Sequence, residues 1–392
     1  RPAAGPGTPT DPAWTCTATS PTSLSCATDA MAAGATASLY VPVLAPAEGR
    51  EAEATASVTG STDAADPHGT GTLHIELRPS GMAARFAAVE HGDVLAIGNS
   101  LVTCPDDSPG CLEARQGQGT RLDNGDHAMV AVDTDTDPAT ANSSSGLSTC
   151  AAGPAVLSAS LYWGGDLAPA VAGQAPADPS AAGRAVVVTP AGSRVEVVAE
   201  RVDRVLDRYQ AVADVTDLVA DAGAGRWTVG GVQLGTGENA YGGWALVVVC
   251  ADAAAPRRSL VVLDGLTEVR GGSGVTLEVG GFSVPAAGSG AATVSTVTYE
   301  GDLGLEGDQL GVAGHAVADA LNPLGNTFNS TASLLGLPAV GSVPGDPNRF
   351  GFDVDRFDVA GVLEPGATST VLDLSTAADV YLPGVVAFAV DQ

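Results

Sequence analysis

Lysine is missing from this chain: all 17 basic residues are arginine, set against 45 acidic ones, for a formal net charge of −28. Its absence excludes Schiff-base chemistry, a phosphate-loop lysine and the Lys–Asn isopeptide crosslink of many surface adhesins. The shortage of positive charge excludes nucleic acid as a partner, because binding it needs a cationic face that releases counterions. An anionic membrane surface is disfavoured on the same ground. Aromatic residues make up only 4%, which argues against a cleft built for stacking sugars. No run reaches the roughly 18 apolar residues of a membrane-spanning helix. The longest, WALVVVCA at 244–251, reads as a buried strand. There is no Gly-x-Ser-x-Gly elbow, no His-Glu-x-x-His pair, no glycine loop for phosphate and no Cys-x-x-Cys pair.

What is present points to strands and turns. Hydrophobic residues are 45% of the chain, mostly Ala and Val, and 50 glycines and 25 prolines are scattered without a period. Cores of small and β-branched residues punctuated this way suit many short strands, an all-β fold. Alternation marks strands at 37–43, 54–58 and 72–77 in a first domain, 1–90. A larger β-sandwich or jelly-roll-like domain, 91–392, follows, with room for two sub-sandwiches. Its strands are read at 94–97, 128–132, 159–163, 185–188, 194–198, 227–232, 244–250, 260–262, 275–279, 293–299, 370–374 and 385–390. Helical spacing is almost absent; only 209–220 and 315–321 suggest short helices, with a loop carrying one turn as the alternative for each. The chain opens on Arg1 with RPAAGPGTPTDP and no hydrophobic leader, which reads as a chain whose signal peptide is gone or as a processed piece of a longer one.

Six cysteines, Cys16, Cys26, Cys104, Cys111, Cys150 and Cys250, allow more pairings than sequence can choose among. Short separations favour Cys16–Cys26 and Cys104–Cys111, which leaves Cys150 with Cys250. The rival is zinc, but no His stands at ligand spacing beside any Cys. Disulfides imply an oxidising, extracellular compartment or a cell surface.

The stretch WTCTATSPTSLSCATDAMAAGATASLYVPVLAP and the following EATASVTGSTDAADPHGTGTLHIEL resemble the later part of the Ig-like conserved repeat of large bacterial surface proteins, over about residues 13–77. Trp14 with Cys16, Cys26, the AAGATA turn and the strand ATASVTG carry the likeness. It departs at the front, where the repeat's opening strands should precede Trp14, and Glu53 or Ala54 stands where the repeat has Asn. The resemblance therefore implies a partial Ig-like sandwich with an uncovered edge, to be filled by the other domain, by an upstream piece or by a strand from another subunit. Residues 93–392 resemble a second, uncharacterised family, the large β-rich domains of actinobacterial and archaeal secreted surface proteins. VLAIGNSLVTCP, SASLYWGGDL, YGGWALVVVCAD, VTYEGDLGLEGDQL, FGFDVDRFDVAGVL and DVYLPGVVAFAVD occur in that order. That likeness implies surface architecture or adhesion and supplies no site residues.

Three acidic motifs are candidates for calcium, the one cofactor the sequence suggests. Asp133, Asp135 and Asp137 are spaced like the start of an EF-hand, but Pro138 occupies the glycine position and Ser144 the closing Glu position, which rejects that motif. A non-EF site remains, against a solvated acidic loop. In FDVDRFD, Asp353 and Asp355 share a strand face, weighed against a strand with a polar outer face and a locally paired Arg356. In EGDLGLEGD, Glu-Gly-Asp recurs around Asp302 and Asp308. Paired carboxylates at such turns also fit a glycosidase, and Tyr162 with Trp163 could line a lectin groove. None of the five histidines sits in a catalytic block; His127, beside Asp126, reads as a turn histidine. The expectation is a non-catalytic structural or adhesive protein of a bacterial cell-surface assembly, self-associating or bound to other surface proteins, in a filament or array joined by strand complementation. Residues 1–12 or the C-terminal VVAFAVDQ would be the donated strand. The alternative is a calcium-dependent carbohydrate-binding module, with glycans as partners.

Overall fold

The computed structural model describes residues 15–20, 23–27, 51–58, 69–76, 82–135, 137–151, 155–272, 274–280, 282–285 and 291–392. The chain divides into two compact units, Arg1–Gly81 and Met82–Gln392. In the first, β1 (Thr15–Ser20) pairs antiparallel with β2 (Ser23–Ala27), and β3 (Glu51–Val58) with β4 (Gly69–Glu76). The first ladder sets Cys16 opposite Cys26, and Cys26 is disulfide-bonded. Trp14, the expected strand at 37–43 and residues 1–12 lie outside the described residues.

The second unit is built on one twelve-stranded sheet. Its main strands are β5 (Met82–Ser100), β6 (Val156–Asp166), β7 (Arg201–Val205), β8 (Arg208–Asp214), β9 (Gly242–Ala251), β10 (Arg257–Gly265), β11 (Ala292–Tyr299), β12 (Ala332–Leu334), β13 (Phe352–Asp358) and β14 (Val380–Asp391). They lie in the order β7-β8-β6-β9-β5-β10-β14-β11-β13-β12, antiparallel except for β12 beside β13. The long β5 joins the two halves of this path. Met82–His91 pairs with β10, and Gly92–Ser100 pairs with β9. The domain boundary expected at residue 91 therefore falls inside a continuous strand, and the division comes at Gly81.

Two four-stranded sheets flank this one. The strands Arg194–Val198, Arg184–Val188, Gly225–Gly230 and Ser143–Ser148 form one; Gly274–Gly280, Ser369–Thr376, Asp308–Val312 and His315–Val317 form the other. Side-chain alternation shows how the layers stack. On β9, Trp244, Leu246 and Val248 enter a core shared with Trp227 and Val229 of the first flanking sheet. Ala245, Val247 and Val249 enter another core, with Phe352 of β13 and Val385, Ala387 and Ala389 of β14. Val386 and Phe388 of β14 turn the opposite way, onto Leu372 and Leu374 of the second flanking sheet. The two halves of the long sheet thus face each other, each also backed by its own small sheet. Strands buried on both faces need apolar side chains at every position, which is why WALVVVCA is a continuous run.

The fold is all-β, sandwich-like and disulfide-stapled, with Cys104–Cys111 and Cys150–Cys250 closed as expected. No described helix is long and apolar enough to cross a membrane. The two expected helices are corrected. Residues 208–214 form β8, and only Thr216–Ala222 is helical, started where Asp214 Oδ1 accepts from the Thr216 N–H at 2.8 Å. Tyr209 to Ala213 are all buried, so alternation is erased from that strand. His315–Val317 is likewise a strand. The C-terminal segment is no free donor, because β14 is paired on both sides, by β10 and β11.

Candidate functional site: a buried carboxylate cluster

The three acidic motifs meet different fates. Asp133 accepts from Ser143 Oγ at 2.8 Å, and Asp135 Oδ1 accepts from the Asp137 N–H and Thr140 Oγ1, both at 2.9 Å. Asp137 accepts from the Ala139 N–H at 2.9 Å and from Arg194 Nε at 2.7 Å. That backbone bond first, and then Arg194, holds the Asp137 carboxyl below its ordinary range. The loop weighed as a calcium site against a solvated acidic loop is a chain of side-chain-capped turns pinned by an arginine.

FDVDRFD and EGDLGLEGD come together. The expected polar outer face of 352–358 does not exist: Asp353 and Asp355 are 0% and 1% exposed. Phe352 and Val354 point between the halves of the long sheet, while Phe357 shares the face of the two aspartates and enters the second sandwich. Arg356 is not paired locally; it reaches Asp93 at 2.7 and 2.8 Å. Directly across the ladder from Asp353 and Asp355 stand Thr298 and Thr296, and Ser333 flanks Asp355 on the other side. The interior of the second sandwich thus turns from apolar, at Val294 opposite Phe357, to oxygen-rich.

Each carboxylate is half satisfied. Asp353 Oδ1 accepts from the Thr331 N–H at 2.9 Å, Asp355 Oδ1 from Ser333 Oγ at 2.7 Å, and Asp308 Oδ2 from the Phe328 N–H at 2.6 Å. The other oxygen of each is buried without a partner, as are Asp302 Oδ1, Asn326 Oδ1 and the hydroxyls of Thr296, Thr298 and Thr327. Gly301 lets the loop pass this close. A Cβ there would sit 2.2 Å from the Phe328 carbonyl oxygen and 2.9 Å from Asp353 Oδ2. Asp379, which the sequence reading missed, joins from the turn before β14 and accepts weakly from the Asp302 N–H at 3.4 Å.

Burial and mutual repulsion shift these groups together. Burial first, then Asp123 and Asp379, pushes Asp302 up to about 8. Burial raises Asp308 to about 7, Asp355 to about 8 and Asp379 to about 6. Asp353 is driven well above the carboxylate range by burial and by Asp355, and Glu300 by burial and Asp302. No ion pair to Arg or His reaches Asp302, Asp308, Asp353, Asp355 or Asp379 among the described residues. Such a cluster requires protons or a cation to neutralise it. No three His, Cys, Asp or Glu side chains already surround one point among the described residues, so any ion here draws part of its shell from neutral oxygens.

Other chemistry finds less footing. His127 is 1% exposed rather than a surface turn residue; its Nδ1 meets Ser108 Oγ at 2.8 Å and its Nε2 meets the Arg121 carbonyl at 3.0 Å. The Ser108 N–H is spent on the Pro105 carbonyl. The pair therefore ties the loop closed by Cys104 and Cys111 to the segment around Arg121. Tyr162 and Trp163 are both 0% exposed, core residues rather than the lining of an open groove.

No protein-family model matches the chain, and no curated protein matches it. Among solved structures it is similar to a protein labelled BuGH86 crystallised with neoagarooctaose, at TM-score 0.22 and 10% identity, covering 82% of this chain and 34% of that one. PNGase F, a glycosylasparaginase from Flavobacterium meningosepticum, is similar at TM-score 0.21 and 11% identity, over 66% and 92% of the two chains. The major capsid protein of bacteriophage PM2 is similar at TM-score 0.18 and 11% identity, over 63% and 95%. This chain spans about a third of the length of the first of these. None is similar enough to carry a functional inference.

Proposed function

We propose that this chain is a non-catalytic, extracellular structural or adhesive protein of a bacterial cell surface that associates with further copies or with other surface proteins. The observation that carries the reading is the apolar hairpin at one end of the twelve-stranded sheet. There Leu334, Leu335, Leu337 and Val340 are 49%, 48%, 68% and 79% exposed, next to the short strand Leu337–Pro338 that ends the hydrogen-bonded path. Neighbouring exposed apolar side chains suit a protein–protein contact. Pro338 on that last strand lacks a backbone donor, so the contact works through side-chain packing more than through an added strand. Asp308, Asp353, Asp355 and Asp379 are buried in the fold, and the disulfides suit an oxidising compartment. Strand donation stays part of the proposal through residues 1–12 only.

Negative-stain electron microscopy of the purified chain, beside the double variant Leu337→Glu/Val340→Glu, tests this. Filaments, arrays or oligomers that the variant loses support it. Compact single particles from both proteins at every concentration overturn it, and chelator-sensitive binding on a glycan array would move the reading to a carbohydrate-binding module.

A further inference from the structure

Three groups stand outside this reading: the apolar hairpin, already used; the Ser108–His127 pair, whose serine N–H is already bonded to the Pro105 carbonyl; and the oxygen-rich end of the second sandwich. The last goes furthest. We propose that it holds one Ca²⁺ ion, ligated by Asp353 and Asp308 with neutral oxygens around them, and that Asp302 closes over it.

Asp353 and Asp308 are both 0% exposed, and each keeps one carboxylate oxygen unpartnered. Asp353 Oδ2 is aimed at the Glu300–Asp302 turn, since it abuts the position a Gly301 Cβ would take. Acidity is not the only sign. Thr298 Oγ1, opposite Asp353 on the next strand, is also buried and unpartnered, and so are Thr327 Oγ1 and Asn326 Oδ1 beside Asp308. A protonated carboxyl needs one acceptor oxygen, whereas a hard cation gathers several, from carboxylates and neutral groups together. Calcium accepts about 6–8 oxygens in an irregular shell and combines carboxylate, amide, hydroxyl and water ligands, whereas magnesium demands a near-ideal octahedron. Zinc prefers His and Cys, and among the described residues none of either bonds to these carboxylates. Asp302 is half-buried, on a loop with Gly301 on one side and Gly304 on the other, and its Oδ1 is buried without a partner at the mouth of the cluster. Asp379 and Asp355 add negative charge nearby, with one oxygen of each already held by Val380 N–H and by Ser333 Oγ.

The ion would join elements far apart in sequence: the 300–308 loop, the segment around residue 327, and β13. Binding is read on the isolated chain, so this proposal and the surface-assembly reading fail separately. The test is isothermal titration calorimetry and thermal melting of the full chain at pH 7.5, chelator-treated and then given calcium or magnesium. Calcium is expected to bind and raise the melting temperature, with magnesium weaker. Asp353→Asn should weaken calcium binding at least tenfold, and Asp302→Asn should weaken it less. In chelator, Asp353→Asn should melt no lower than the parent, because the amide is neutral without having to take up a proton, and that separates lost binding from lost folding. No heat and no melting shift at about 10 mM calcium, above the weakest extracellular calcium modules, would overturn the proposal. So would a shift that both variants retain in full.

Discussion

Asp353 and Asp355 point the same way from one strand into the interior of the second sandwich, and each faces a threonine whose buried hydroxyl has no partner. Calcium-free protein must keep such carboxylates protonated. Burial pushes Asp355 up to about 8, whereas an unfolded Asp titrates at about 4. Between those values the folded chain holds a proton that the unfolded chain has released. The stabilisation is therefore complete below about pH 4 and is lost as pH rises through about 8. Melting in chelator should fall across that window, and Asp355→Asn should flatten the fall. A slope unchanged in the variant would place the pH dependence elsewhere.

Close packing between the facing halves of the long sheet depends on Gly243. A Cβ there would lie 2.6 Å from ring atoms of Phe352, the side chain that fills the space from the other half. Gly243→Val should cost about 1–3 kcal/mol through overpacking, read as a lower urea midpoint at unchanged slope. The companion Phe352→Leu in the same background should recover part of the loss by making room.

Arg356 and Arg258 both converge on Asp93, at 2.7 and 3.2 Å, and Arg258 also bonds Asp391 at 2.7 Å. The two arginine side chains are only 11% and 17% exposed. Asp93→Ala leaves part of that charge uncompensated and should cost about 2 kcal/mol, below the roughly 3–5 kcal/mol of a fully buried pair. Glu196→Ala, which removes the exposed pair with Arg184, should change stability by less than about 1 kcal/mol. Equal effects in the two variants would contradict this ordering.

The two described disulfide geometries differ in what they enclose. Cys150–Cys250 closes a separation of 100 residues and Cys104–Cys111 one of 7. On chain entropy alone, replacing the first pair by serine should cost about 5 kcal/mol and the second about 2. Urea unfolding of the two double variants checks the order.

Much of the fold was legible because its strands announce themselves by alternation or by apolar runs, as at Val275, Leu277 and Val279. The misreadings share one cause. Where both faces of a strand are covered, alternation vanishes, so Tyr209–Ala213 looked helical and Asp353 and Asp355 looked exposed. Their burial follows from a neighbouring strand, β11, and from the loop around Thr331, which no local pattern contains. Asp302, Asp308, Asp353 and Asp355 were all visible as candidates, but as two motifs rather than one cluster. Asp379, in STAADVYL, carries no local signature at all; only the return of the last strand brings it alongside.

The path of β5 and β14 on either side of β10 has a mechanical consequence. Met82, at the start of β5, lies against Gly265 at one end of β10, and Asp391, at the end of β14, lies against Arg258 at the other. A pull applied between Met82 and Asp391 slides these ladders lengthwise, so that their hydrogen bonds resist together instead of parting one after another. The geometry is that of a shear clamp.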